Sequence, residues 1–101
     1  MGRLSVRHVE GVYHLAGEFD MAEVETFVDA TAEAMEGTDP VVPELSELGF
    51  IDSSGIHAIV RLSQRVGGRG LVLRNPRGTV ARVIELIRVA DAPGIDVEGR
   101  E

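Results

Sequence analysis

The chain contains no cysteine, no lysine and no tryptophan, and each absence removes a class of chemistry. Without cysteine there is no disulfide framework, no thiolate metal site and no cysteine nucleophile. Without lysine there is no Walker-type phosphate grip and no Schiff-base chemistry. One Tyr and three Phe among 101 residues leave little stacking surface, so a sugar-sized glycosidase cleft is not expected. No apolar run approaches the ~18 residues of a membrane span, and Met1-Gly2-Arg3-Leu4 leads into no secretory apolar segment. The expectation is a cytoplasmic domain without membrane insertion.

What is present suits a globular domain: 44% hydrophobic and 27% charged residues, a composition that argues against disorder. The length predicts one domain over residues 1–101 with a single modest core. The net charge of −7 is unevenly spread. Residues 1–52 carry twelve Asp/Glu and two Arg, whereas residues 53–101 carry five Asp/Glu and eight Arg. An acidic total disfavours direct nucleic-acid binding, which needs a concentrated basic surface. The Arg61, Arg65, Arg69 series reads as a solvated helix face and its exit.

Leu4–Val9 and Val12–Leu15 read as a β-hairpin around Glu10-Gly11. From Met21 to Glu36, Val24, Phe27, Val28, Thr31, Ala34 and Met35 recur three and four apart, which predicts a helix capped by Asp20 and stopped by Gly37. Val41–Leu45 reads as a strand weakened by Pro43, which belongs at an edge or a bulge. Phe50-Ile51 is a short apolar step. A helix over Ser54–Val66 comes next, with Ile56, Ile59, Val60 and Ser63 inward and Gly67-Gly68 at its end. Leu71–Leu73 is an apolar strand, and Thr79–Val89 a helix with Val80, Val83, Ile84 and Ile87 on one side. Ile95–Val97 is a final strand stub. The order ββαβαβα(β) predicts an α/β domain with a mixed, mostly parallel sheet of four to five strands and about three helices.

The segment with the most chemistry is Asp52-Ser53-Ser54-Gly55, at a strand-to-helix junction. One reading is a plain helix cap, since Ser and Asp oxygens accept from unpaired first-turn N–H groups. A second is a phosphoacceptor serine, its hydroxyl exposed where the helix N-terminus tolerates an anion. A third is a serine hydrolase, but the G-x-S-x-G elbow is absent and only His57 lies close in sequence as a base. His8, His14 and His57 show no metal-ligand spacing, and no cofactor is expected. Glu18 and Asp20 form a possible acid/base pair, although Asp20 reads better as a cap.

Gly17-Glu18-Phe19-Asp20 before the first helix, and Phe50-Ile51-Asp52-Ser53-Ser54-Gly55-Ile56 before the second, resemble the two hallmark segments of STAS domains. The name stands for sulfate transporter and anti-sigma factor antagonist, and the resemblance is strongest over residues 4–95. It implies that Ser53 is phosphorylated by an anti-sigma factor serine kinase. Asp52, Ser54, Gly55 and Ile56 would form the recognition surface, with Asp20 on the neighbouring loop. Unphosphorylated, such a domain binds the anti-sigma factor and frees the sigma factor for transcription; phosphorylated, it lets go, and a PP2C-type phosphatase resets it. It is the kinase's substrate and not an enzyme. The alternative is a constitutive interaction module, for example an accessory subunit of a lipid or anion transporter, with Ser53 only a cap. Pro43 and Glu44 depart from the pattern, which implies a distorted central strand, and His57 stands where a small residue is common. The C-terminus is shortened relative to relatives that continue into a further helix. The expected oligomeric state is a monomer or a weak homodimer.

Overall fold

Alternating polarity in the first fifteen residues folds as expected into a hairpin. The computed structural model describes residues 3–99, apart from the side chain of Ala90. Strand β1 (Leu4–Val9) pairs antiparallel with β2 (Val12–Phe19) across the Glu10-Gly11 turn. Both turn residues have positive φ, at 49° and 82°, the combination a two-residue hairpin requires and glycine makes cheap. β2 runs four residues past its expected end, because its distal half pairs with β3 (Val42–Ile51).

The sheet contains β1 to β5 in sequence order, with β4 at Leu71–Arg74 and β5 at Ile95–Glu98, and every pairing after the hairpin is parallel. Right-handed crossovers between successive neighbours place the three α-helices on one face. Burial alternates to match: Tyr13, Leu15, Leu45, Leu71, Leu73 and Ile95 are buried, while Val12, His14, Val72, Arg74, Asp96 and Glu98 are partly or fully exposed. The expected α/β architecture is thus present, with five strands.

Several elements differ from the sequence expectation. Residues 42–45 and Phe50-Ile51 belong to one ten-residue strand, preceded by the Val41 bridge, and it is the central one. Pro43 is fully buried in it, contrary to the edge placement its missing N–H suggests. The β3–β4 ladder accommodates this, since its contacts are the Val41–Leu71 bridge and the Glu44–Arg74 pair, on either side of the proline. The helix expected over 21–36 is three pieces: a 3-10 turn (Met21–Glu23), helix α1 (Val24–Ala30) and a second 3-10 segment (Ala32–Glu36). Thr31 marks the break, where its hydroxyl and its N–H both donate to the Phe27 carbonyl, at 2.8 and 3.0 Å. The change of period after Thr31 turns Met35 outward, 39% exposed instead of inside, and Val28, within α1, is 38% exposed. Helix α2 (Ser53–Val66) carries Ile56, Ile59 and Ser63 into the core as expected. Helix α3 (Gly78–Leu86) stops earlier than the pattern suggests, so Ile87 is 47% exposed. Arg69 is not merely solvated: its guanidinium donates to the carbonyls of Ala34 and Asp39, closing the end of the second 3-10 segment.

Two acidic side chains are buried without any signal in the hydropathy pattern. Glu23 accepts from the backbone N–H groups of Arg3 and Leu4, both at 2.9 Å, and so pins the start of β1. Glu44 accepts from Ser46 N–H and from Asn75 Nδ2, and lies 3.3 Å from Arg74 Nε. Burial opposes its ionisation, but the Ser46 and Asn75 hydrogen bonds and the Arg74 charge outweigh that, holding its carboxyl below the usual range. A depressed folded-state pKa means that the unfolded chain binds more protons in acid. The stability from Glu44 is therefore complete above about pH 4.3 and is lost as pH falls through the folded value. Glu44→Gln is expected to cost about 1–3 kcal/mol at pH 7, as for hydrogen bonds to a charged group. Urea denaturation should show the gap between variant and parent narrowing progressively as pH falls below about 4.3.

Candidate functional site

Phe19 of β2 and Ile51 of β3 are register partners at the C-terminal ends of adjacent parallel strands. The next residues, Asp20 and Asp52, consequently emerge side by side, on strands about 5 Å apart. They adopt nearly the same extended backbone, φ −115° and ψ −172° for Asp20, φ −113° and ψ −174° for Asp52. Each then caps the helical turn after it. Asp20 Oδ1 accepts from Ala22 N–H at 3.1 Å, and Asp52 Oδ1 accepts from Ser54 and Gly55 N–H at 2.9 and 3.1 Å. The expected cap at Asp20 is there, although it starts a 3-10 turn and not an α-helix.

This arrangement separates the roles within Asp52-Ser53-Ser54-Gly55. The cap is Asp52, so the reading of Ser53 as a cap is corrected. Ser53 is the first residue of α2, exposed, and its hydroxyl makes no hydrogen bond among the described residues. Ser54 is half-buried beside it. Gly55 and Ile56, expected at the recognition surface, are both buried, and Ile56 belongs to the core. A Cβ at Gly55 would stand 2.8 Å from the Phe19 carbonyl oxygen and 2.7 Å from Ile51 Cγ1, so glycine lets α2 start directly against the ends of β2 and β3. These two residues set the position of Ser53 and do not form its surface.

The possible acid/base pair of Glu18 and Asp20 is instead bound to a cation. Arg3 reaches Glu18 at 3.1 Å through Nη1 and Asp20 through Nη2. His57 is exposed one turn into α2 and makes no hydrogen bond to Ser53 among the described residues. His8 stacks on Tyr13 at 4.1 Å and contacts Glu33 at 2.7 Å, far from this end of the sheet in register. Sequence reasoning passed over two apolar neighbours of the site. Met21, next to Asp20, is 74% exposed, and Phe50, next to Ile51, is 44% exposed. The strand's period of two carried the signal for Phe50: with Ile51 inside, the preceding residue faces out.

Asp52→Ala removes the acceptor of two first-turn N–H groups and should cost about 1 kcal/mol, seen as a thermal midpoint lower by about 4–8 °C. Gly55→Ala overpacks a rigid carbonyl and should cost about 1–3 kcal/mol by the same melting measurement.

A model of the STAS domain matches residues 3–97. Several solved structures share the fold. A candidate anti-sigma factor antagonist from Thermotoga maritima (tm1081) superposes with a TM-score of 0.73 at 19% identity, over 94% of this chain and 85% of that one. The anti-sigma factor antagonist SpoIIAA in its unphosphorylated form gives 0.71 at 22% identity, over 93% and 86%. The murine Solute Carrier 26 family member A9 anion transporter, in its inward-facing state, gives 0.66 at 20% identity, over 88% of this chain and 16% of the transporter. No curated protein matches in sequence. With the family model covering nearly the whole chain, and the strand ends, twin aspartates and α2 start now located, the chain belongs to the STAS family.

Proposed function

We propose that this STAS domain is an anti-sigma factor antagonist switched at Ser53. In the unphosphorylated state it binds an anti-sigma factor serine kinase and releases a sigma factor to activate transcription. Phosphorylation of Ser53 ends the contact, and a PP2C-type phosphatase restores it. The domain acts as substrate and ligand in this cycle, not as a catalyst. The observation that carries the reading is the freedom of the Ser53 hydroxyl: exposed at the first position of α2, it has no capping work because Asp52 performs it. The fold similarity to SpoIIAA, solved in its unphosphorylated form, supports the same reading.

The local electrostatics explain how one phosphate can break an interface. A phosphoserine adds about −1.5 to −2 charges at neutral pH. Here it would arrive beside Asp52 and Asp20, with Arg3 already engaged by Glu18 and Asp20. The Ser54 and Gly55 N–H groups already serve Asp52, so the helix end offers the new oxygens little. The phosphate therefore stays at the surface as uncompensated charge. The partner's footprint in this reading is Ser53, Ser54, Asp52 and Asp20, rimmed by the exposed Met21 and Phe50, which supply apolar contact area. A dianion forced against such a desolvated rim is costly, and each 1.4 kcal/mol lost is about a tenfold loss of affinity.

The test is incubation with a kinase-type anti-sigma factor and ATP, followed by intact mass measurement. One added phosphoryl group is expected, absent in Ser53→Ala, and Ser53→Asp should bind the partner at least tenfold more weakly than the parent. An unmodified mass with partner binding retained refutes the switch and leaves a constitutive interaction module, the reading to which the transporter's fold similarity lends support.

A further inference from the structure

The helical layer has a second feature, on the side of α2 away from its start. A groove of about 790 Å³ runs between α1 with the following 3-10 segment and the body of α2. Phe27 and Leu62 are buried in its floor, and Val28 and Met35 open onto it from the α1 side. The α2 wall presents Arg61 and Arg65; the α1 wall presents Asp29, with Glu25 one turn before it. All four charged residues are exposed, and among the described residues none of them makes an ion pair or side-chain hydrogen bond. Asp29 and the two arginines thus line one groove without meeting across it.

The two pairs have the same spacing. Glu25 and Asp29 are four residues apart on α1, as are Arg61 and Arg65 on α2, so each pair repeats at about 6 Å along its helix. An acidic helix laid along α2 meets both arginines in register, and this chain carries such a helix. A two-fold contact places every residue of the patch opposite its counterpart's partner. With α1 of one copy against α2 of the other, acid meets base twice and Val28 and Met35 of both copies close over the apolar floor. A small anion fits less well, because Asp29 lines the same groove. Two chains of net charge −7 repel at long range, so only a locally paired contact such as this one brings them together.

We propose that the α1–α2 groove is a self-association surface, in which Glu25 and Asp29 of one copy pair with Arg61 and Arg65 of a second copy. The surface is separate from Ser53, and the inference does not depend on the phosphorylation reading. Sedimentation equilibrium from micromolar to millimolar protein tests it. The average mass should climb from 10.9 kDa toward twice that value. Arg61→Glu with Arg65→Glu makes both walls acidic, and Glu25→Arg with Asp29→Arg makes both basic, so each double variant alone should associate at least tenfold more weakly. Mixed in equal amounts, the two should recover a dimer containing one copy of each, which a merely misfolded variant cannot do. A parent that stays at monomer mass throughout the range overturns the proposal, as does a dimer that both double variants form unchanged.

Discussion

The parallel pairing of β2 with β3 closes on a hydrogen bond from the Asp52 N–H to the Phe19 carbonyl, 3.2 Å long, and the candidate site is built outward from it. It holds two strand ends level, so that two aspartates leave the sheet in the same backbone pose and each starts a helical turn. Gly55 brings α2 close enough to touch the same carbonyl. Ser53 owes its exposure to this geometry. With Asp52 held as the cap, the next side chain is turned to solvent and bonds to none of the described residues.

The abundance of acid in the first half of the chain looks different once its members are placed. Glu23 and Glu44 are buried and satisfied by backbone N–H groups, an amide and a guanidinium. Asp20 and Asp52 cap, and Glu18 shares Arg3 with Asp20. Glu33 meets His8. Glu25 and Asp29 are acids in this half that serve no such internal purpose among the described residues; Asp29 lines the groove that carries Arg61 and Arg65, and Glu25 lies one turn before it on α1. Charge that a summed balance treats as uniform divides into structural charge and charge free for partners.

Legibility varied with the length of the pattern. α2 repeats its apolar residues over fourteen positions between an aspartate cap and a glycine stop, and it folds within one residue of expectation. The region after Asp20 has the same period on paper, yet Thr31 bonds back to Phe27 and breaks it into an α-helix flanked by 3-10 turns. That local competition rotated Met35 out of the core. Pro43 misled in the other direction: a proline argues for an edge, but a central strand tolerates it where the neighbouring ladder needs no N–H.

The order of the elements, the glycine stop of α2, the identity of the Asp52-Ser53-Ser54-Gly55 junction and its STAS resemblance were all readable from the chain, because each rests on near neighbours in sequence. The division of labour inside that junction was not. Whether Asp52 or Ser53 caps, whether Gly55 and Ile56 are surface or core, and which carboxylates are consumed internally depend on contacts between residues many positions apart. Those contacts exist only after β2, β3 and α2 have packed. The sequence alone marked the junction at which the proposed switch would sit; the packed sheet decided that Asp52 is the cap and that the Ser53 hydroxyl is left unbonded among the described residues.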